Sequence, residues 1–455
     1  MNSRPVPPAD SRGKSSPPSP IPAVLAAAVA LESLFLILPR LANLKVQVVE
    51  TIAVAFAAGI VYLVALYLME RAAERSVVLW IVLAAAFVFR LTLVPMYPTL
   101  SDDLFRYRWD GIIQQAGWNP YAIAPEDRRL IGFRDGWWPQ VSNQEMPNIY
   151  PPLTELVLRA TAAFSHQPRA FKAPFLLAEG LLLALLALWI RRTGRRSYTL
   201  AVYAWNPLVV VECAASGHND PLAMLFSVAA LFLIIERRVV LSTLALAAAV
   251  LSKFFPVLLA PLWLRRLGWP RSARSWAGLA LACAMAAASW WPYRAAWPAV
   301  LQLFHPYRKH WVNNAGLYLM LKWFSGSDDW AWGIGVGVVA GIALWAALRN
   351  VDPARAAYLL FGAVPLVSQN AFSWYFLWVS PLLVFYPNPA WLLLTILQFL
   401  SYHVLIGYAA TGAWKFDPFY LWLEYAPFFA LLAAQPFLPR GSGSAGAAKS
   451  DSIPN

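Results

Sequence analysis

The chain has 455 residues, of which 60% are hydrophobic and only 13% charged, and its mean hydropathy is +0.53. No soluble globular domain carries that composition on its surface, so an integral membrane protein is expected. A formal charge of +13 would suit a nucleic-acid binder, but the basic residues sit in short loops between apolar runs, where membrane topology accounts for them and no nucleic-acid partner is needed.

Residues 1–20, "MNSRPVPPADSRGKSSPPSP", are rich in Pro and Ser and read as a disordered cytoplasmic tail, as do residues 438–455 at the other end. Arg4, Arg12 and Lys14 precede an apolar run in the manner of a signal peptide, but the many later spans favour a retained first helix. Between the tails, residues 21–437 read as a single multi-pass transmembrane domain. Its apolar windows are Ile21 to Pro39, Val46 to Leu68, Val77 to Val94, Ala173 to Ile190, Tyr198 to Ala215, Pro221 to Ile235, Trp276 to Trp291, Trp332 to Leu348, Ala356 to Val367, Trp374 to Phe385, Trp391 to Ala410 and Phe419 to Ala434. The fold expected is all-α and polytopic, with about 12–14 transmembrane or re-entrant helices. Cys213 and Cys283 both lie in apolar windows, with no disulfide framework or zinc spacing.

Basic clusters at Arg71 and Arg75, Arg191 to Arg196, Arg237 and Arg238, Arg265 to Arg274, and Arg349 and Arg355 mark the cytoplasmic side. Both termini then lie inside. Three helices bring the chain out near Tyr97, and residues 96–172 form an extracytoplasmic loop. The segment "YPPLTELVLRATAAFSHQ" reads as a helix in the outer interface, because a full crossing would place "RRTGRR" outside. Val239 to Leu264, basic at both ends, must enter and return; Pro256 in "SKFFP" breaks it and sets Lys253 near the outer face.

Polar residues then collect on that one side, each near the end of a different span. In "YPTLSDDLFRYRWDG", Ser101 is a suitable N-cap, Asp102 and Asp103 occupy the first turn of a helix, and Asp103, Arg106 and Asp110 share a face among Tyr107 and Trp109. Two first-turn acids also simply complement a helix dipole, with Asp102 and Arg106 as an i, i+4 pair. Beside a membrane exit, however, adjacent acids raise one another's pKa, which suits one of them to take a proton from a hydroxyl. "GHND" adds His218 and Asp220, the latter placed to cap the next helix. Lys253 can snorkel, or can serve an anionic group such as a phosphate. "HPYRKHW" adds His305, Arg308, Lys309 and His310, which a solvated interfacial loop also explains. Asn313, Trp374 and Tyr375 fall on the same side; most aromatics here belong to interfacial belts, but flat rings also stack on sugars.

Together, "SDDLFRYRWDG", "GWNPY", "IYPPL", "AWNPLVVVECAASGHNDPLA", "LSKFFPVLLAPL", "WVNNAGLY" and "SWYFLW" resemble the GT-C superfamily of membrane glycosyltransferases, and within it the bacterial polyprenyl-phosphate-mannose-dependent mannosyltransferases. They span Ser101 to Trp378. "SDDxxRYxWDG" with "GHND" is the specific pair; "YPP" alone is not. Two departures stand out. Relatives often carry a His and a Pro before the late "WY", where this chain has Phe372 and Ser373, and two helices more than in the simplest members precede the acidic loop.

The resemblance implies transfer of mannose or another hexose, with inversion, from a polyprenyl-phosphate donor to a hydroxyl of a glycan, glycolipid or protein, at the outer face of the bacterial cytoplasmic membrane. Asp103 is then the base and Asp102 its electrostatic partner. Lys253, Arg106, Arg308 and Lys309 are candidates for the phosphate. His218 and Asp220 position sugar or acceptor, and Tyr107, Asp110, Tyr150, His305, Asn313, Trp374 and Tyr375 complete the expected site. Membrane lipids are the remaining partners. No cofactor is assigned; a divalent cation, if one takes part, would be held by Asp102, Asp103 and Asp220. Two other readings have signs of their own. A transporter or lipid flippase would show repeats and unwound helices at mid-membrane, and a polysaccharide polymerase or ligase would use a late basic loop such as "HPYRKHW".

Overall fold

The structure, a computed structural model, describes residues 21–41, 43–71, 76–268, 271–298 and 312–435. The tails and the run containing His305, Arg308, Lys309 and His310 lie outside the described residues. Helices carry the described fold, and the one pairing of extended backbone is an isolated bridge between Asn313 and Asn370.

In chain order the helices are α1 (Ile21–Phe35), α2 (Val48–Arg71), α3 (Ser76–Leu93), α4 (Asp103–Gln115), α5 (Pro152–Phe164) and α6 (Ala173–Arg192). Two short pieces follow, α7 (Ser197–Ala204) and α8 (Pro207–Ser216). The rest are α9 (Asp220–Ile235), α10 (Val239–Ser252), α11 (Ala260–Arg266), α12 (Ala273–Trp290), α13 (Gly316–Ser325), α14 (Asp328–Leu348), α15 (Pro353–Val367), α16 (Pro389–Tyr408) and α17 (Pro418–Ala434). Six segments are long and apolar enough to cross a bilayer: Ile21–Arg40, Val48–Arg71, Ser76–Leu93, Pro168–Arg192, Asp328–Leu348 and Pro389–Tyr408. The pair α7 and α8 makes a seventh if counted as one bent span, and α9, α10, α15 and α17 are shorter apolar helices. The protein is therefore a multi-pass, all-helical membrane protein.

The two ends of the bundle differ chemically. At one, Arg196 donates to the carbonyls of Met69 and Glu70, Arg192 pairs with Glu236, and Arg266 holds the carbonyls of Asn350 and Val351. These contacts gather the basic loops that follow α2, α6, α9, α11 and α14. At the other end Lys172 is fully buried and donates to the carbonyls of Val94, Met96 and Ala214, closing the exposed carbonyl ends of α3 and α8 with one ammonium.

The window Tyr198 to Ala215 does not form one straight helix. It bends by 55° at Trp205–Asn206, where Pro207 starts α8 and the Asn206 side chain caps the Leu208 N–H. The carbonyls freed by the break are not left bare: Val202 accepts from the Tyr62 hydroxyl and Ala204 from Arg90. Arg90 also pairs with Glu179, both buried, so removing either partner strands a charge at a cost of about 3–5 kcal/mol. Trp374 to Phe385 is a buried 3-10 turn, Ser373–Leu377, followed by one helical turn, Ser380–Leu383, rather than a continuous helix.

α5 has 13 residues, too few to cross a bilayer; it packs on α4, α10 and α12, and Thr154 donates to the Ser252 carbonyl. α10 ends at Ser252, Lys253 is extended, and the chain turns back through Phe255–Leu259 into α11 and its terminal Arg265 and Arg266. This is the enter-and-return hairpin that the flanking basic clusters require.

Candidate active site

A cavity of about 680 Å³ opens at the end of the bundle opposite the basic loops. The start of α4 supplies Asp102, Asp103 and Arg106 to its lining. Pro139–Pro151 forms one wall; Lys253, Phe254 and Phe255 come from the hairpin turn; Trp374, Tyr375 and Trp378 come from the late 3-10 turn.

α4 begins at Asp103, with Asp102 in the N-cap position and Ser101 Oγ accepting from the Asp103 N–H at 3.3 Å. The two adjacent acids therefore leave the backbone in different directions. Asp102 turns outward to Lys45, from the loop between α1 and α2, at 2.8 Å, and is 40% exposed. Asp103 turns inward: its Oδ2 accepts from the Tyr150 hydroxyl at 3.4 Å and lies 3.5 Å from His218 Nδ1. Its Oδ1 has no partner among the described residues. Burial acts to raise the Asp103 carboxyl, but His218 and Lys253 outweigh it and hold the group below the ordinary carboxylate range.

His218 lies behind this carboxylate. Its Nε2 is 3.3 Å from Glu212 Oε2, its ring stacks on Trp374 at 4.1 Å, and its side chain is 1% exposed. Burial would push the imidazole down, but carboxylates on both ring nitrogens raise it to about 9. Glu212 Oε1 in turn accepts from the Ser373 and Tyr402 hydroxyls at 2.7 and 2.6 Å. The local backbone explains this convergence. Residues Val211–Ser216 form a π-helical turn that ends at Gly217 with φ of +76°, and the N–H groups of Gly217 and His218 both return to the Glu212 carbonyl. Gly217 is needed twice over, since a Cβ there would also stand 2.8 Å from Lys172 Cγ.

Beyond it, Asp220 opens α9 but caps nothing. Its Oδ1 accepts from Lys253 Nζ and from the Trp378 indole N–H, and Lys253 also reaches Asn219 Oδ1 at 3.2 Å. Lys253 Nζ lies 5.7 Å from the ring centres of both Tyr375 and Trp378. Trp378 stacks in turn on Phe255 at 4.1 Å and on Tyr375 at 4.6 Å, which gives the cavity a continuous aromatic wall.

Several expectations need correction. Arg106 pairs with Asp110, not Asp102, and its remaining donors go to the carbonyls of Ser142, Asn143 and Met146. It shapes the loop beside the cavity and has little left for a phosphate. Asp110 is buried beneath it, away from the cavity, and Tyr107 packs edge-on against Tyr150 and Phe175. Asp102, expected to pair electrostatically with Asp103, pairs with Lys45, and the charged side chain beside Asp103 is His218. His218 and Asp220, expected to position sugar or acceptor, stand behind the cavity lining, in contact with Asp103 and Lys253. Asn313 does line the cavity; its Oδ1 accepts from the Trp414 indole at 3.0 Å. Where relatives carry His and Pro, Phe372 stacks on Trp374 at 4.3 Å and Ser373 serves Glu212.

With Asp102 on Lys45 and Asp220 on Lys253, the trio Asp102, Asp103 and Asp220 does not fit a shared divalent cation. Among the described residues no three His, Cys, Asp or Glu side chains gather as a ligand set. Sequence reasoning missed Lys45 and Tyr402 altogether. Both come from parts of the chain without motifs, and only folding brings them here.

The described residues thus form an all-helical membrane bundle with an acid- and aromatic-lined cavity. The family model described as alpha-(1->6)-mannopyranosyltransferase, N-terminal domain, matches residues 21–267, more than half of the chain. The chain belongs to that mannosyltransferase family and is a membrane glycosyltransferase. The match takes in Asp103, Tyr150, His218 and Lys253, and ends before Trp374 and Tyr375. No curated protein and no solved structure matches the chain.

Proposed function

We propose that the protein transfers mannose, or another hexose, from a polyprenyl-phosphate donor to a hydroxyl of a glycan, glycolipid or protein acceptor, at the outer face of the bacterial cytoplasmic membrane and with inversion. One observation carries the chemistry: Asp103 lines the cavity with one carboxylate oxygen that has no partner among the described residues, while its other oxygen is held by Tyr150 and His218. In this reading Asp103 takes the proton from the acceptor hydroxyl as that oxygen bonds to the anomeric carbon. The bond from the anomeric carbon to the phosphate oxygen breaks, and its electron pair leaves on the phosphate. A phosphate is already a good leaving group, so it needs charge stabilisation and not a strong acid. Lys253, on the aromatic wall of the same cavity, meets that need.

The location of the basic loops at the opposite end of the bundle supports the outer-face reading, since basic loops mark the cytoplasmic side and both termini then lie inside. Replacing Asp103 with Asn keeps the side-chain shape and removes the base. Transfer of mannose from polyprenyl-phosphate mannose in membranes should fall by at least about a hundredfold, with the protein still folded by thermal shift in detergent. Turnover like that of the wild type would remove Asp103 as the base.

A further inference from the structure

The proposed mechanism leaves the buried pair of Glu212 and His218 without a task. Glu212 and His218 are buried behind the cavity lining, yet they point at Asp103, a carboxylate that lines the cavity. The contacts run in sequence from Tyr402 and Ser373 through Glu212 and His218 to Asp103, behind the cavity wall that Tyr402, Ser373 and Asp103 help to line. Each link is fixed from a different element: α8 supplies Glu212 through its π turn, the loop before α9 supplies His218, and α4 supplies Asp103. Trp374 clamps the imidazole plane.

Structural satisfaction alone would not demand this arrangement. A buried histidine is accommodated most cheaply as a neutral ring with one hydrogen-bond partner, whereas this ring has a carboxylate on each nitrogen. The catalytic problem does demand it. An anionic donor phosphate entering the cavity would repel the Asp103 charge and favour its protonation, which would remove the base when it is needed. A fixed cation on the far side of Asp103 opposes that effect without occupying the space where sugar must sit. Lys253 cannot do this alone, because it is shared with Asp220 and lies on the phosphate side.

Resting on the reading of Asp103 as the base, we propose that Glu212 and His218 are positioning residues. Glu212 keeps the His218 ring oriented and cationic, and His218 holds Asp103 Oδ2 so that Oδ1 stays ionised and aimed at the acceptor while the anionic donor is bound. No proton passes along the line: the acceptor proton stops on Asp103, and the Glu212–His218 ion pair stays intact throughout. This is a different task from contact with sugar, which was expected of His218.

Among the described residues, the groups facing the imidazole are Asp103 and Glu212 at its nitrogens and Trp374 on its face; Tyr402 reaches it through Glu212, and Lys253 and Tyr150 through Asp103. The test is therefore the pH profile of transfer from polyprenyl-phosphate mannose by wild-type protein, His218→Gln and Glu212→Gln. In His218→Gln, kcat should fall about tenfold or more, with both KM values within about twofold, and the acid limb should move up by about one pH unit as Asp103 loses its counter-charge. In Glu212→Gln the imidazole loses one of its two carboxylates, so a basic limb from loss of the His218 charge, expected near pH 9 in the wild type, should move down. The Glu212 variant also serves if the His218 variant does not fold. An unmoved acid limb with a loss that tracks the melting temperature would mean a purely structural dyad. A change confined to KM would mean that His218 touches substrate. Either result overturns the proposal. If Asp103→Asn is inactive but the limbs stay fixed in both variants, only the positioning role falls; if Asp103→Asn is active, the base assignment falls and this role with it.

Discussion

Lys253 shows how much a single side chain depends on its partners. Its ammonium rests on Asp220 and Asn219 and against two aromatic rings, so an incoming phosphate meets a cation that is fixed in place and already partly neutralised. A charge-assisted contact of this kind contributes about 1.5–3 kcal/mol, or roughly ten- to a hundredfold in donor affinity. Lys253→Met should therefore raise the KM for the lipid-linked donor by about that factor and leave the KM for the acceptor unchanged. Asp220 would be stranded by the change, so the double variant with Asp220→Asn is the balanced control. Equal effects on donor and acceptor would count against a phosphate role. The two adjacent acids, Asp102 and Asp103, make the complementary point. Their order in "SDD" was legible, but which one meets His218 and which one meets Lys45, more than fifty positions earlier in the chain, depends on where α4 starts.

At the scale of elements, the tight contact is between α4 and α5. A Cβ on Gly111, in the middle of α4, would stand 2.6 Å from the Leu158 backbone oxygen and 3.0 Å from the Phe171 ring. Backbone cannot yield as a side chain can, so the helices must separate. Gly111→Ala should cost about 1–3 kcal/mol, visible as a lower melting temperature in detergent. It should also reduce transfer, because α5 starts at Pro152 and carries Tyr150 at its entrance. The glycine of "WDG" thus has a packing reason. The two prolines of "YPP" likewise fix the turn that delivers Tyr150 to Asp103, with Pro152 in the first turn of α5. The bend at Asn206–Pro207 was not foreseen, although the proline was in view. Whether a proline bends a span or merely starts one is decided by the groups that receive the freed carbonyls, here Tyr62 and Arg90 from α2 and α3.

For the whole molecule, the segregation of the basic loops from the cavity makes a topology that can be read chemically. With the exposed Cys283 replaced and buried Cys213 left in place, Glu145→Cys should react with an impermeant thiol reagent added to intact cells, and Arg191→Cys only after permeabilisation. The reverse pattern would invert the molecule and sink the outer-face assignment.

By itself the sequence determined the class: hydropathy, helical apolar runs and basic loops specify a polytopic helical protein, because bilayer thickness and the cost of bare backbone leave few alternatives. It also determined the acidic stretch and the hairpin at Lys253, because each is encoded locally, by adjacent charges or by a proline between basic ends. Only the tertiary structure decided the pairings. Lys45 with Asp102, Arg106 with the Ser142 to Met146 loop, and Glu212 with His218 and Tyr402 join distant parts of the chain, and the partner a charge finds follows from how the helices pack, not from its neighbours in the chain.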